Sequence, residues 1–269
     1  MKPLVSVIMP IWNAEPRHLE AALASVLGQT HTKLELLVVE DRSERPAADV
    51  LRACGDERVR HVVQDEKSSM AAARNRGLAL ARGTFVAMHD GDDVSDARRI
   101  EEQLRLLESR PDVDIVGTSI HIVDEVGRRT GARAYPQTHE AILEALPRFN
   151  PIAHPTVMFR KDVVESAGGY DESAARVCED YELWSRLAHR GARFFNLEER
   201  LLEYRLHASA SKRTRLRATL ADTLAIKDRY WREARTLRDR ARIGVERGLL
   251  HLPPRFVYWL FRKTQLQPW

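Results

Sequence analysis

The sequence predicts an α/β fold, a mostly parallel sheet flanked by helices and continued by a helical, basic C-terminal extension. Three observations carry this. Short β-branched apolar runs alternate with helix-period segments through the first half of the 269 residues. Acidic residues gather just past the ends of those runs, where a parallel sheet covered on both faces binds its ligands. From Lys212 onward, fifteen Lys and Arg stand against five Asp and Glu, while residues 1–211 are net acidic.

The continuous apolar run 5–9 predicts a buried first strand, and Leu19, Leu23, Val26 and Leu27 a helical stripe after it. Residues 34–39 and 59–63 predict the next two strands. Ser68 or Ser69 caps a helix to Ala81 that Gly83 closes. Residues 84–88 form a fourth strand ending in HDGDD, and Ser95 is expected to cap a helix with Ile100, Leu104 and Leu107 on one face. Further on, 114–123 reads as one or two strands, 138–146 as a short helix, and 155–159 as a strand. Residues 161–167 read as a helix stopped by Gly168-Gly169. A helix is expected at 179–189, two strands at 194–196 and 201–206, and Arg-rich helix from Thr214 to about Leu250.

Composition bounds the function. With 43% hydrophobic and 30% charged residues, the chain has material for a sizeable core, which excludes wholesale disorder. Cys54 and Cys178 give neither a disulfide framework nor a zinc set, so a reducing cytoplasm is the expected compartment. The apolar run 4–9 is too short for a signal peptide, and no segment approaches the ~20 apolar residues that span a bilayer.

The chemistry concentrates in a few segments. In HDGDD, carboxylates flanking a glycine suit a hard divalent cation, although an Asp-rich turn explains the same letters. Asp41, in VVEDRS, suits a ribose hydroxyl or a base N–H, or caps a turn. Arg74 suits a diphosphate, whereas Arg76 reads as a solvated helix face. Glu179-Asp180 opens a helix whose dipole both explains the two carboxylates and keeps Asp180 ionised, able to accept a proton. Missing are a GxGxxG after the first strand, a P-loop and a GxSxG elbow, and Cys178 reads as an inert buried thiol.

Taken in order, VSVIMPIWN, LELLVVEDRS, MAAARNRGLALARGTFVAMHDGDD, HPTVMFRKDVVESAGGYDE, CEDYELWSRLAHRG and YRLHASASK resemble the family 2 glycosyltransferases, of the GT-A (Rossmann-like) fold. The resemblance implies sugar transfer from a nucleotide donor, usually UDP-linked, with inversion at the anomeric carbon. It implies Pro10 and Trp12 in the nucleoside pocket and Asp41 on the base. Asp90 and Asp92 correspond to the metal-binding pair, Asp92 being the direct ligand of Mg2+ or Mn2+. Asp180 matches the catalytic base, Arg74 adds charge stabilisation, and His207 matches a position near the diphosphate. Arg42 departs from the glycine common after the second strand, and Ala97 from a frequent proline.

Two alternatives carry different chemistry: a sugar-nucleotide nucleotidyltransferase, and a catalytically inactive carbohydrate-binding relative. IWNAEPRH is not the Gly-rich basic loop that the first would need. The expected division is a catalytic unit over 1–212 and a basic extension over 213–269. The expected acceptor is a glycan or a lipid-linked hydroxyl, in envelope polysaccharide or lipopolysaccharide assembly. Phe256, Tyr258, Trp259 and Phe261, with the cations and Leu249, Leu250 and Leu252, suit either an anionic membrane surface on the inner face of the plasma membrane or packing back on the domain. No nucleic-acid motif accompanies the charge, so no nucleic-acid partner is expected.

Overall fold

The computed structural model describes residues 2–66, 68–173, 177–206, 211–234, 236–250 and 252, and the side chains of all of these except 211–215. The first half runs β1 (Val5–Ile11), α1 (Pro16–Leu27), β2 (Leu34–Glu40), α2 (Ala48–Cys54), β3 (Val59–Val63), α3 (Met70–Leu80) and β4 (Phe85–Met88). Then follow β5 (Val94–Ser95), α4 (Arg99–Ser109), β6 (Ile115–Val123), β7 (Arg129–Arg133) and α5 (His139–Ala145). A 3₁₀ turn (His154–Thr156), β8 (Met158–Arg160), α6 (Lys161–Ser166), α7 (Glu179–His189) and β9 (Phe194–Arg205) complete the body. Helices α8 (Ser211–Tyr230) and α9 (Leu237–Leu249) form the extension.

One sheet orders the strands β3-β2-β1-β4-β8-β6-β9-β5, with β7 on β6. β1 pairs in parallel with β2 and β4, β2 with β3, and β6 with β9, while β8, β5 and β7 run against their neighbours. All seven residues of β1 and of β2 are buried, because helices cover both faces. Their side chains alternate between two cores. Ile8, Leu37 and Met88 face α3, α7 and the extension; Val7, Met9, Leu36 and Val38 face α1 and α4.

Several expectations change. Ser95 does not cap α4: it lies in β5, and α4 begins only at Arg99 after an Arg98 that makes no side-chain cap. The run 155–159 divides into the 3₁₀ turn and β8, since Pro155 has no N–H for a ladder. The two strands expected at 194–206 are one strand, β9, whose register shifts absorb the polar residues Glu198 and Glu199. The seven-residue helix α2, of which only Leu51 is buried, is too short to show a clear period, and the polar strand β7 has no apolar alternation to reveal it. Ser69 caps α3 as expected, accepting from the Ala72 amide.

The extension is not separate from the body. Ile226 and Trp231 of its first helix and the following turn belong to the α7-side core. Leu249 is buried with Leu216, Leu220, Leu224 and Ile243, and Leu250 and Leu252 pack on the same cluster. These three leucines therefore pack against α8 and Ile243. The aromatic residues expected to accompany them lie outside the described residues. No helix among the described residues is long and apolar enough to cross a membrane.

Candidate active site

The parallel strands β1, β2 and β4 end on one edge, and their carboxyl ends carry Ile11, Glu40-Asp41 and His89-Asp90. A cleft of about 690 Å³ opens there, lined by Pro10, Trp12, Asn13, Arg74, Asp90 and Asp92, among others. Trp12 lines this space and is 44% exposed. Asn13, a residue that sequence reasoning passed over, adopts φ +48°. Its side-chain oxygen accepts from the Glu44 and Arg45 amides at 2.8 and 3.2 Å, tying the loop after β1 to the loop after β2. Asparagine tolerates that left-handed backbone better than most side chains.

Asp41 stands beyond the residues lining this cleft. Its Oδ1 accepts from the Arg42 amide at 3.0 Å and the Ser68 amide at 2.9 Å, which fixes the Ser68 loop against the end of β2. Arg42 is accommodated without a glycine backbone, since its φ is not positive.

In the HDGDD turn the carboxylate oxygens of Asp90, Asp92 and Asp93 lie within 4.8 Å of one another. Gly91 lets the turn rest on β1, because a Cβ there would come within 2.7 Å of Ile11 Cγ2. Burial pushes the Asp90 carboxyl up against the pull of Arg74, and burial with Asp90 and Asp92 pushes Asp93 up further. Asp93 Oδ1 accepts from the Arg205 amide at 2.8 Å, and its buried Oδ2 finds no partner among the described residues. Clustered hard oxygens and one orphaned carboxylate oxygen fit a small divalent cation. Asp90 and Asp92 face the cleft.

Two arginines missed from sequence brace this turn and the strand end that precedes it. Arg205, at the end of β9, donates from Nε to the Asp92 carbonyl at 2.8 Å and from Nη1 to the Asp124 and Glu125 carbonyls at 3.1 and 3.2 Å. Arg99 is fully buried and donates to the carbonyls of Met88 at 3.1 Å and Pro155 at 2.7 Å. A cation in the first turn of a helix opposes the dipole, and that misplacement was a readable signal of another duty.

A second cleft, of about 440 Å³, adjoins the first. Asp180, Glu179, Asn150, His154, Tyr135 and Tyr204 are among its lining residues, and Arg74 and Asp90 line both clefts. Asp180 opens α7. Its Oδ1 accepts from the Tyr181 amide and its Oδ2 from Asn150 Nδ2, both at 2.8 Å. Burial, then the neighbouring Glu179 carboxylate, raises its carboxyl to about 6, against Arg74. Arg74 is buried and ion-paired with Glu179; its Nε finds no partner among the described residues. His154, which donates to or accepts from the Tyr170 hydroxyl at 2.9 Å, is held neutral by burial and then by Arg74. The structure thus brings Pro10, Trp12, Arg74, Asp90, Asp92 and Asp180 to two joined clefts and does not place Asp41 among their lining residues. His207 lies outside the described residues.

The profile of the family described as Glycosyl transferase family 2 matches residues 6–168. The O-antigen biosynthesis glycosyltransferase WbnJ of Escherichia coli is 31% identical over 218 residues, 79% of this chain and 84% of that one. In fold, the chain is similar to the mannosyltransferase PcManGT from Pyrobaculum calidifontis, solved with GDP-Man and Mn2+, at TM-score 0.66 and 20% identity over 94% of this chain and 71% of that one. It is also similar to S. aureus TarS 1-349, solved with UDP-GlcNAc, at TM-score 0.64 and 17% identity over 82% and 66%. Both are GT-A neighbours, and the mostly parallel sheet with its flanking helices is theirs. The chain belongs to the family 2 glycosyltransferases.

Proposed function

We propose that the chain is an inverting, metal-dependent hexosyltransferase acting on a nucleotide-sugar donor and a hydroxyl acceptor, glycan or lipid-linked, in cell-envelope polysaccharide or lipopolysaccharide assembly. The observation that carries this reading is the join of the clefts. Arg74 and Asp90 line both, so a donor in the first meets an acceptor in the second beside Asp180. The name of the E. coli relative supports the pathway class. TarS with UDP-GlcNAc supports a UDP donor, and PcManGT with GDP-Man and Mn2+ supports a divalent cation and keeps GDP as the second candidate. Family membership displaces the nucleotidyltransferase alternative.

In this reading Pro10 and Trp12 wall the nucleoside, the exposed indole stacking on the base. Asp41 is assigned to the base, and His207 to the diphosphate. Asp92 with Asp90 would hold Mg2+ or Mn2+, which when bound neutralises charge on the leaving diphosphate. Arg74, its charge fixed near the join by Glu179, adds a cation there. Asp180 takes the acceptor hydroxyl's proton as that oxygen attacks the anomeric carbon from the face opposite the nucleotide. The bond from that carbon to the diphosphate oxygen breaks and its electron pair leaves with the nucleotide. A carboxyl near about 6 suits this role, being ionised at neutral pH and basic enough to accept a proton.

Residues 1–212 carry this chemistry, with 213–269 as the extension. We place the protein in the cytoplasm, peripheral on the membrane where a lipid-linked acceptor would lie. The outward face of α9 supports this: it carries Arg238, Arg240, Leu237 and Val245, the two apolar residues 83% and 64% exposed. Co-sedimentation with anionic but not neutral liposomes is the expected outcome.

The function is tested by thermal melting against UDP-, GDP- and dTDP-linked sugars with and without Mn2+, in wild type and Asp92→Asn. One nucleotide class should raise the Tm only with metal, and only in wild type. Equal metal-dependent shifts in the variant would remove Asp92 from the site.

A further inference from the structure

The extension touches the site through two routes that end on the same carboxylate. The first runs through α8. Asp222 accepts from the Val177 amide at 3.0 Å, and the Cys178 thiol lies 3.6 Å from Thr223 Oγ1, so the two residues preceding Glu179-Asp180 are held from the extension. Farther along α7, the Tyr230 hydroxyl donates to Glu182 at 2.5 Å and Trp231 Nε1 to Ser185 Oγ at 3.0 Å. The rotation of α7, and with it the direction of its first turn, is set against α8.

The second route runs through α9. Thr236 and Asp239 cap α9 reciprocally. The same Asp239 carboxylate accepts from Arg148 Nε at 3.1 Å, and only 9% of that side chain is exposed. Arg148 sits two residues before Asn150, whose amide nitrogen binds Asp180 Oδ2 at 2.8 Å. A single helix-capping carboxylate therefore closes α9 and holds the loop that aims Asp180. Leu216 of α8 also lines the second cleft, so the extension forms part of its wall.

We infer that the α8–α9 pair is a built-in part of the acceptor half of the site, with Asp239 and Arg148 as positioning residues acting through Asn150 on Asp180. This rests on the assignment of Asp180 as the base. Neither residue touches donor or acceptor. Their effect is on where the carboxylate points, and errors of about 1 Å in such placement cost up to ~10²-fold in rate.

The experiment uses the full chain and the sugar nucleotide it turns over, chosen from UDP-, GDP- and dTDP-linked hexoses and N-acetylhexosamines with Mn2+. Free nucleotide release is measured with water as acceptor. Arg148→Ala and Asp239→Asn should each lower kcat by about tenfold, leave the donor KM and the Kd for nucleotide plus Mn2+ within twofold, and speed amide exchange around Asn150. Arg148→Lys should recover most of kcat. Two variants guard against misfolding in either, which melting reports. In a double-mutant cycle, Arg148→Ala should add little once Asn150 is alanine, because both act along one route. Full multiplication of the two losses, or wild-type kcat in folded Arg148→Ala and Asp239→Asn, overturns the inference. Asp180→Asn is run alongside: if it retains turnover, the base assignment fails. If it is inactive while Arg148→Ala is normal, only the positioning role fails.

Discussion

The two halves of the proposed site, the first cleft assigned to the donor and the second to the acceptor, are built differently. The donor half is assembled from β1, β2 and β4, three parallel strands drawn from the first 88 residues and joined by covering helices. The acceptor half gathers Asn150, His154, Asp180, Tyr204 and Leu216 from a 3₁₀ turn, loops, a helix start, a strand and the extension. The first is a repeated βα pattern whose strand ends point one way by construction. The second exists only after long-range contacts have formed. The donor half is therefore the more tolerant scaffold, and the acceptor half is where distant substitutions reach the chemistry.

The largest expected effect separates the halves at once. Asp180→Asn should lower turnover by ~10²–10⁴ while affinity for nucleotide plus Mn2+ stays within a few-fold, because Asp180 lines the second cleft and not the first. Calorimetry beside steady-state kinetics reads both numbers. For the wild type, kcat at saturating donor should fall about tenfold per pH unit below the pKa raised to about 6, since protonation removes the base. A kcat flat from pH 7 to pH 5 would leave Asp180 as a helix-terminal charge only.

Stability sharpens the contrast next. Trp231, 7% exposed, packs in the body's core from just beyond α8. Trp231→Ala should cost about 3–5 kcal/mol and lower a single melting transition. Two transitions, with only the smaller one shifted, would make the extension an independent unit. On the donor side, Gly77→Ala would set a methyl 2.5 Å from Ile8 Cγ2, between α3 and the central strand. Overpacking costs about 1–3 kcal/mol, and helix propensity returns up to ~1, so a net loss of about 1 kcal/mol is expected by urea denaturation. Smallest is Ser69→Ala, which removes the α3 cap and should cost about 0.5–1 kcal/mol.

The same contrast explains what could be read beforehand. Asp90, Asp92 and Trp12 were legible because apolar runs of the right length fix strand ends, and residues just past those ends have one place to go. Asp180 was legible as a carboxylate opening an amphipathic helix. Arg205 and Asn150 were not, since their duties depend on which chain segment arrives opposite them. Arg74 suits a diphosphate by its residue type, but its ion pair with Glu179, a contact spanning 105 residues, is one that no local pattern announces. Ser95 imitates a cap because it precedes an apolar helical period, whereas tertiary pairing with β9 places it in a strand.

The proposed reaction is a single displacement, with Asp180 taking a proton in the second cleft while the nucleotide leaves from the first. It is tested most directly by the anomeric configuration of the sugar first released from an α-linked nucleotide donor. Proton NMR can follow this with water as acceptor, before mutarotation scrambles the signal. The two-cleft arrangement predicts the β-anomer at the earliest times. An α-anomer appearing first would mean retention, and would contradict attack from the face opposite the nucleotide.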